Sequence, residues 1–133
     1  MQTTVGECLL LLGHPDVYNL PEQPIVSLVV SRAKTVALRK RGRELLNLLN
    51  GIVEDYDAIR QSIVEEYQKK DEEGKPIETA ENPGFYEMLP GWQKAIEARI
   101  NEEIEVEFTP FAEDELGDGF TLAETLRLGK FCE

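Results

Sequence analysis

The chain has 133 residues, with 26 Asp and Glu against 14 Lys and Arg, a formal net charge of −12. Apolar residues make up 41% and charged residues 30%, enough for one packed domain and too apolar for a disordered chain. The longest apolar run, Cys8 to Leu12, is five residues and excludes a membrane-spanning helix, which needs about 18.

Residues 3–12 predict a short helix, with Thr3 or Thr4 as N-cap, Glu7 in the first turn and Gly13 as the stop. No cation occurs in residues 1–12, so a secretory signal is not expected. The stretch from Gly13 to Pro24 carries three prolines and reads as a connector. From Ile25 to Lys70 there is no proline. Apolar residues recur there at Leu38, Leu45, Leu49, Ile52, Tyr56, Ile59 and Ile63, a heptad-like seam with Gly42 in the slot between Leu38 and Leu45. Leu46, Leu48, Val53 and Val64 widen that face. The pattern predicts one helix over 25–70, about 68 Å long at 1.5 Å per residue, with Gly42 and Gly51 as the points where it bends or breaks. The β-branched run from Ile25 to Val30 also allows a strand.

Asp71-Glu72-Glu73-Gly74-Lys75-Pro76 stops the helix, and residues 71–83 read as a mobile loop. Asn82-Pro83 is a helix start, and Phe85, Tyr86, Met88, Leu89, Trp92, Ile96 and Ile100 lie at helical spacing, with a kink or restart at Pro90-Gly91. This second helix is expected to return antiparallel along the first. Residues 103–108 alternate strictly, with Ile104, Val106 and Phe108 on one face and Glu103, Glu105 and Glu107 on the other, the period of a half-buried strand. Thr121-Leu122-Ala123-Glu124 matches a capping box and opens a last short helix, closed by Gly129. The expected fold is mainly α: a long helical hairpin, one short strand and a short C-terminal helix, in a single domain over 1–133.

Charge is unevenly distributed. Residues 1–70 balance nine cations against nine acids, whereas residues 71–133 hold five against seventeen. Residues 101–118 contain eight acids and no cation. Arg39, Lys40, Arg41 and Arg43 pack four cations into five positions. Such polarity favours basic partners and disfavours bare nucleic acid, whose phosphates it repels. The basic cluster is expected to meet the acidic C-terminal half within the fold, and remains a secondary candidate surface.

The residue stock for catalysis is thin. His14 is the single histidine and precedes a proline, and Ser27, Ser31 and Ser62 have no nucleophile motif around them. Cys8 falls on an apolar helix, Cys132 lies near the C-terminus, and two such thiols make neither a zinc site nor a disulfide framework. Asp71, Glu72 and Glu73 lack calcium-loop spacing. The consecutive Glu113, Asp114 and Glu115 suit a solvated acidic turn better than a weak Mg²⁺ site. No catalytic residue, metal or cofactor is expected. The partner-binding candidates are Glu103, Glu105, Glu107, Glu113, Asp114 and Glu115. A lone strand leaves backbone groups unpaired, so its edge is a place for a partner to pair.

Ser31-Arg32-Ala33, Glu65-Glu66-Tyr67, Lys70 to Pro76, Ile104 to Glu107 and Phe120-Thr121-Leu122 through Phe131 give the chain a layout that resembles a family of small tailed-bacteriophage and prophage proteins with no assigned activity. The likeness spans about residues 20–131. It implies a phage origin and a helical hairpin with an acidic C-terminal part, and brings no site residues with it. The expected function is that of a non-catalytic protein-interaction protein, either a virion or assembly component or a binder of a host protein. The alternative is an acidic nucleic-acid mimic that inhibits a host DNA- or RNA-binding enzyme such as a defence nuclease or polymerase. The expected partner is a protein with a basic surface, met in the host cytoplasm or the virion, with neither direct nucleic-acid binding nor membrane contact. The seam also allows a homo-oligomer.

Overall fold

A computed structural model of the protein describes residues 1–17, 23–80 and 85–133. The chain is mainly α, with one long helix, a short two-stranded sheet and a short C-terminal helix. Strand β1 (Gln2–Thr4) leads directly into helix α1 (Val5–Leu11). Thr4 is both the last strand residue and the helix cap, its hydroxyl accepting from the Glu7 N–H at 3.1 Å. The helix predicted over 3–12 therefore starts later, because residues 2–4 are extended.

The helix predicted over 25–70 is two helices, α2 (Ile25–Arg32) and α3 (Val36–Tyr67). Ala33 and Thr35 are extended, and the Thr35 hydroxyl accepts from the Leu38 N–H at 3.1 Å to cap α3. The physical reason is burial. Ile25, Val26, Leu28 and Val29 carry a dense apolar face that a straight helix would leave in water, so α2 folds back onto α3. Gly42 admits that contact. A Cβ there would stand 3.1 Å from a Val30 methyl and 3.2 Å from a Val29 methyl. The slot in the seam is thus a close helix crossing, and α3 runs unbroken through it for 32 residues.

Leu38, Leu45, Leu49 and Tyr56 of the seam are buried, but Ile59 is 45% exposed. Leu38, Leu45 and Leu49 pack in one cluster with the chain's own Val26, Val29, Val106, Phe111, Leu116, Leu128 and Phe131, and Tyr56 in a second with Val5 and Leu9. The second helix of the expected hairpin is short: α4 (Trp92–Ile100) returns along the end of α3 and buries Ile96.

Between α3 and α4 the chain makes an arm instead of a loop and a helix. Of the helix start at Asn82-Pro83, both residues lie outside the described residues. Residues 85–89 are extended. Residue pairs Gln68–Met88, Lys70–Pro76 and Glu78–Tyr86 bridge three extended segments. Lys69 N–H donates to Glu87 O, Glu87 N–H to Ile77 O, and Ile77 N–H to Lys69 O, closing them into a triangle. The chain leaves the arm through Gly91 at φ +94°, a left-handed conformation that suits glycine and lets α4 restart afresh.

Strand β2 (Glu103–Glu105) pairs antiparallel with β1, Gln2 opposite Glu105 and Thr4 opposite Glu103. The strand expected to stand alone thus has one partner, supplied by residues too few and too polar to announce a strand; residues 25–30, whose β-branched run also allowed a strand, are helical. The C-terminal segment wraps back onto the core. Phe111 N–H donates to Phe131 O, Glu133 N–H donates to Phe111 O, and both phenylalanines are buried. Helix α5 (Leu122–Leu126) opens with the expected capping box, Thr121 and Glu124 each accepting from the other's N–H. Among the described residues no helix is long and apolar enough to cross a membrane.

Candidate functional site

The strand expected over 103–108 is shorter, Glu103–Glu105, because β1 offers only three residues to pair with, but the in–out alternation continues through residue 108. Val106 is buried and Ile104 and Phe108 half-buried, whereas Glu103, Glu105 and Glu107 are exposed on the opposite face. The strand's two edges differ. Val106 N–H donates to Met1 O, the Met1 amino group donates to Val106 O, and Val5 N–H donates to Glu102 O. In an antiparallel ladder the directly opposed pairs alternate between bonded and non-bonded. Residues 102, 104 and 106 therefore turn their backbone groups toward β1, and 103, 105 and 107 turn theirs the other way. Among the described residues, the backbone N–H and C=O groups of Glu103, Glu105 and Glu107 have no backbone partner. The side chain of Glu105 is held by the Met1 ammonium at 3.0 Å.

Beside that unpaired edge runs a groove of about 700 Å³. One wall is the chain from Glu102 to Glu107. The other is a stripe of α3, Leu48, Ile52, Asp55 and Ile59, spaced 4, 3 and 4 residues apart on one helix face. Arg99, paired with Glu102 at 2.8 Å, closes the end where α4 meets β2. The exposed Ile59 belongs here: two strands cover only part of the helix beneath them, and the seam emerges where the sheet ends. The alternation in sequence puts Glu103, Glu105 and Glu107 on the exposed face, where they lie, and gives no sign of the groove. The seam's 4-3-4 spacing was its one visible signal, and nothing local says which half of a seam is covered.

The second acidic group divides. Glu113 and Asp114 are exposed on a 3₁₀ turn, but Glu115 is drawn into the fold. Arg41 donates to Glu115 at 2.9 Å and to the Thr109 carbonyl at 2.7 Å. Its guanidinium lies 4.6 Å from the Phe108 ring centroid and 4.8 Å from that of Phe111. Hydrogen bonding from Arg41 holds the Glu115 carboxyl below its ordinary pKa, against a smaller opposing effect of burial. The basic cluster divides likewise. Arg41 ties the long helix to the acidic segment, while Arg39, Lys40 and Arg43 stay exposed.

A polar cluster that sequence reasoning did not assemble pins the connector to α3. Tyr56 donates its hydroxyl to Asp16 at 2.5 Å, and Arg60 donates to the same oxygen at 2.7 Å. Burial pushes the Asp16 carboxyl up, but the bonds from Tyr56 and Arg60 outweigh it and leave the pKa lowered. Burial, and then the bond to Asp16, raises that of Tyr56. His14 accepts from the Asp16 N–H through Nδ1 at 3.1 Å, so the neutral ring carries its proton on Nε2, 2.8 Å from Asp57. These groups satisfy one another and aim no nucleophile at solvent. Cys8 is buried, and burial pushes its thiol up to about 11. Among the described residues no three His, Cys, Asp or Glu side chains gather as a metal site would require.

No family model, curated protein or solved structure matches the chain.

Proposed function

We propose that this is a phage-encoded, non-catalytic interaction protein that docks a partner protein with a basic surface on the acidic face of β2. It acts either as a virion or assembly component or as a binder of a host protein. One observation carries the reading: Glu103 and Glu105 of β2, with Glu107 just past its end, form a row of exposed glutamates beside an unpaired backbone edge and an apolar groove. Exposed carboxylates in a row steer association with a cationic surface, and the groove supplies the apolar area that gives the complex lifetime. The resemblance to tailed-phage proteins supports the phage origin.

A second reading, the acidic mimic of nucleic acid that inhibits a host DNA- or RNA-binding enzyme, draws on the same row. Alternate strand residues stand about 6.8 Å apart, and Glu103 and Glu105 of β2 and Glu107 beyond it are all exposed. The two readings part on what is captured. Immobilised protein should retain a partner from host lysate that washes off with rising salt. The triple variant Glu103→Gln, Glu105→Gln, Glu107→Gln should lose it. Displacement of the captured protein by duplex DNA supports the mimic; indifference to DNA supports the docking protein. Equal capture by parent and triple variant, at low and moderate salt, refutes both.

A further inference from the structure

We propose that the β2 edge takes an extended segment of the partner as a third, antiparallel strand, and that the segment alternates basic and apolar residues. The inference rests on the docking reading above and gives its ligand a chemistry and a register. Three features fix it. The first is the ladder. The pairing register turns the backbone groups of Glu103, Glu105 and Glu107 away from β1, and among the described residues they have no backbone partner, so an incoming antiparallel strand bonds to these three residues and leaves 104 and 106 to β1. The second is the face. Residues directly opposite one another share a face of the sheet, so the partner residues opposing the glutamates lie among carboxylates and are Lys or Arg. The third is the groove. The partner's intervening residues turn to the other face, where Leu48, Ile52 and Ile59 of α3 line open space beside β2. Those residues are apolar. A third strand would extend the sheet over the part of the α3 stripe that two strands leave bare.

The register decides which amides matter. Residues opposing Glu103, Glu105 and Glu107 form the hydrogen-bonded pairs, so the basic residues contribute both N–H and C=O to the ladder. The apolar residues turn their backbone groups outward.

A fluorescent seven-residue peptide alternating Lys and Val, titrated into the full chain, tests this. It should bind about tenfold or more tightly than a scrambled peptide of the same composition. N-methylation at two Lys residues should abolish binding, and at two Val residues should leave it within about threefold. Ile59→Asn, which removes apolar surface without adding charge on a side chain 45% exposed, should weaken the alternating peptide and leave the scrambled one unchanged. Equal affinity for alternating and scrambled peptides overturns strand addition while leaving the acidic docking surface standing. Loss on methylating Val in place of Lys overturns the antiparallel register. Failure of every cationic peptide to bind overturns this inference and the docking reading together.

Discussion

Arg41 should behave unlike its three neighbours in the basic cluster. Its side chain is 24% exposed, and it bonds to Glu115, bonds to the Thr109 carbonyl and covers two aromatic rings. Truncation to Ala removes a hydrogen bond from a charged donor, about 1.5–3 kcal/mol where partly buried, a contact over aromatic faces worth roughly 0.5–1 kcal/mol, and an ion pair of at most about 1 kcal/mol. Because these overlap at one group, the expected loss is about 2–4 kcal/mol. Arg39→Ala, Lys40→Ala and Arg43→Ala should each stay within about 0.5 kcal/mol of the parent. Arg41→Lys should recover only part, since an ammonium cannot serve Glu115 and Thr109 with one planar fork. Urea unfolding reads the differences directly. The pH dependence supplies a second check. The hydrogen bond from Arg41 holds the Glu115 carboxyl below its ordinary value in the folded state, so its contribution is fully present above the unfolded value and is lost as pH falls through the folded one. Arg41→Ala should therefore flatten the acid limb of the stability curve. A variant as stable as Arg39→Ala, with an unchanged acid limb, would show that Arg41 does not join the long helix to the acidic segment.

Other substitutions follow from burial. Leu49→Asp should cost several kcal/mol, because Leu49 is fully buried, whereas Ile59→Asp should cost under about 1 kcal/mol; equal losses in thermal melts would contradict the half-covered seam. Gly51 sits inside α3 with nothing within 4 Å of a built Cβ, so Gly51→Ala should stabilise by up to about 1 kcal/mol, and a lowered midpoint would place a break in the helix there. Asp16→Asn removes the negative charge from the acceptor that Tyr56 and Arg60 share. Its lowered pKa means that stability present at neutral pH fades as pH drops through the folded value, and Asp16→Asn should erase that part of the acid dependence in denaturant titrations.

The parts of the fold legible in sequence are those written in local chemistry. The Thr4 cap, the Thr121–Glu124 capping box and the alternation at 103–108 each depend on residues within a few positions of one another. The seam identified the core face of α3 for the same reason. The elements that stayed hidden depend on distant pairing. Ala33-Lys34 holds no helix breaker, and α2 turns back because its apolar face needs α3, with Thr35 ready as a cap. Gln2-Thr3-Thr4 becomes a strand only because Glu103–Glu105 lies beside it. The arm depends on bonds among residues 69, 77 and 87, so the helical spacing of Phe85, Met88 and Leu89 was misleading. At the candidate site the acids were legible and their surroundings were not. The groove exists because a helix face and a strand edge meet across some fifty residues of chain, and the division of the charges at Arg41 and Glu115 rests on a contact 74 residues apart.

The central claim is that the outer edge of β2 is open in the free protein and closed by a partner. Amide hydrogen exchange, read residue by residue by NMR, tests it most directly. In the free protein the Glu103, Glu105 and Glu107 amides should exchange fast while that of Val106, bonded to Met1, is protected. With the protein captured from the host added to saturation, the three glutamate amides should slow by about a hundredfold or more, as ladder bonds form. Rapid exchange that persists at all three amides in the saturated complex would contradict the account.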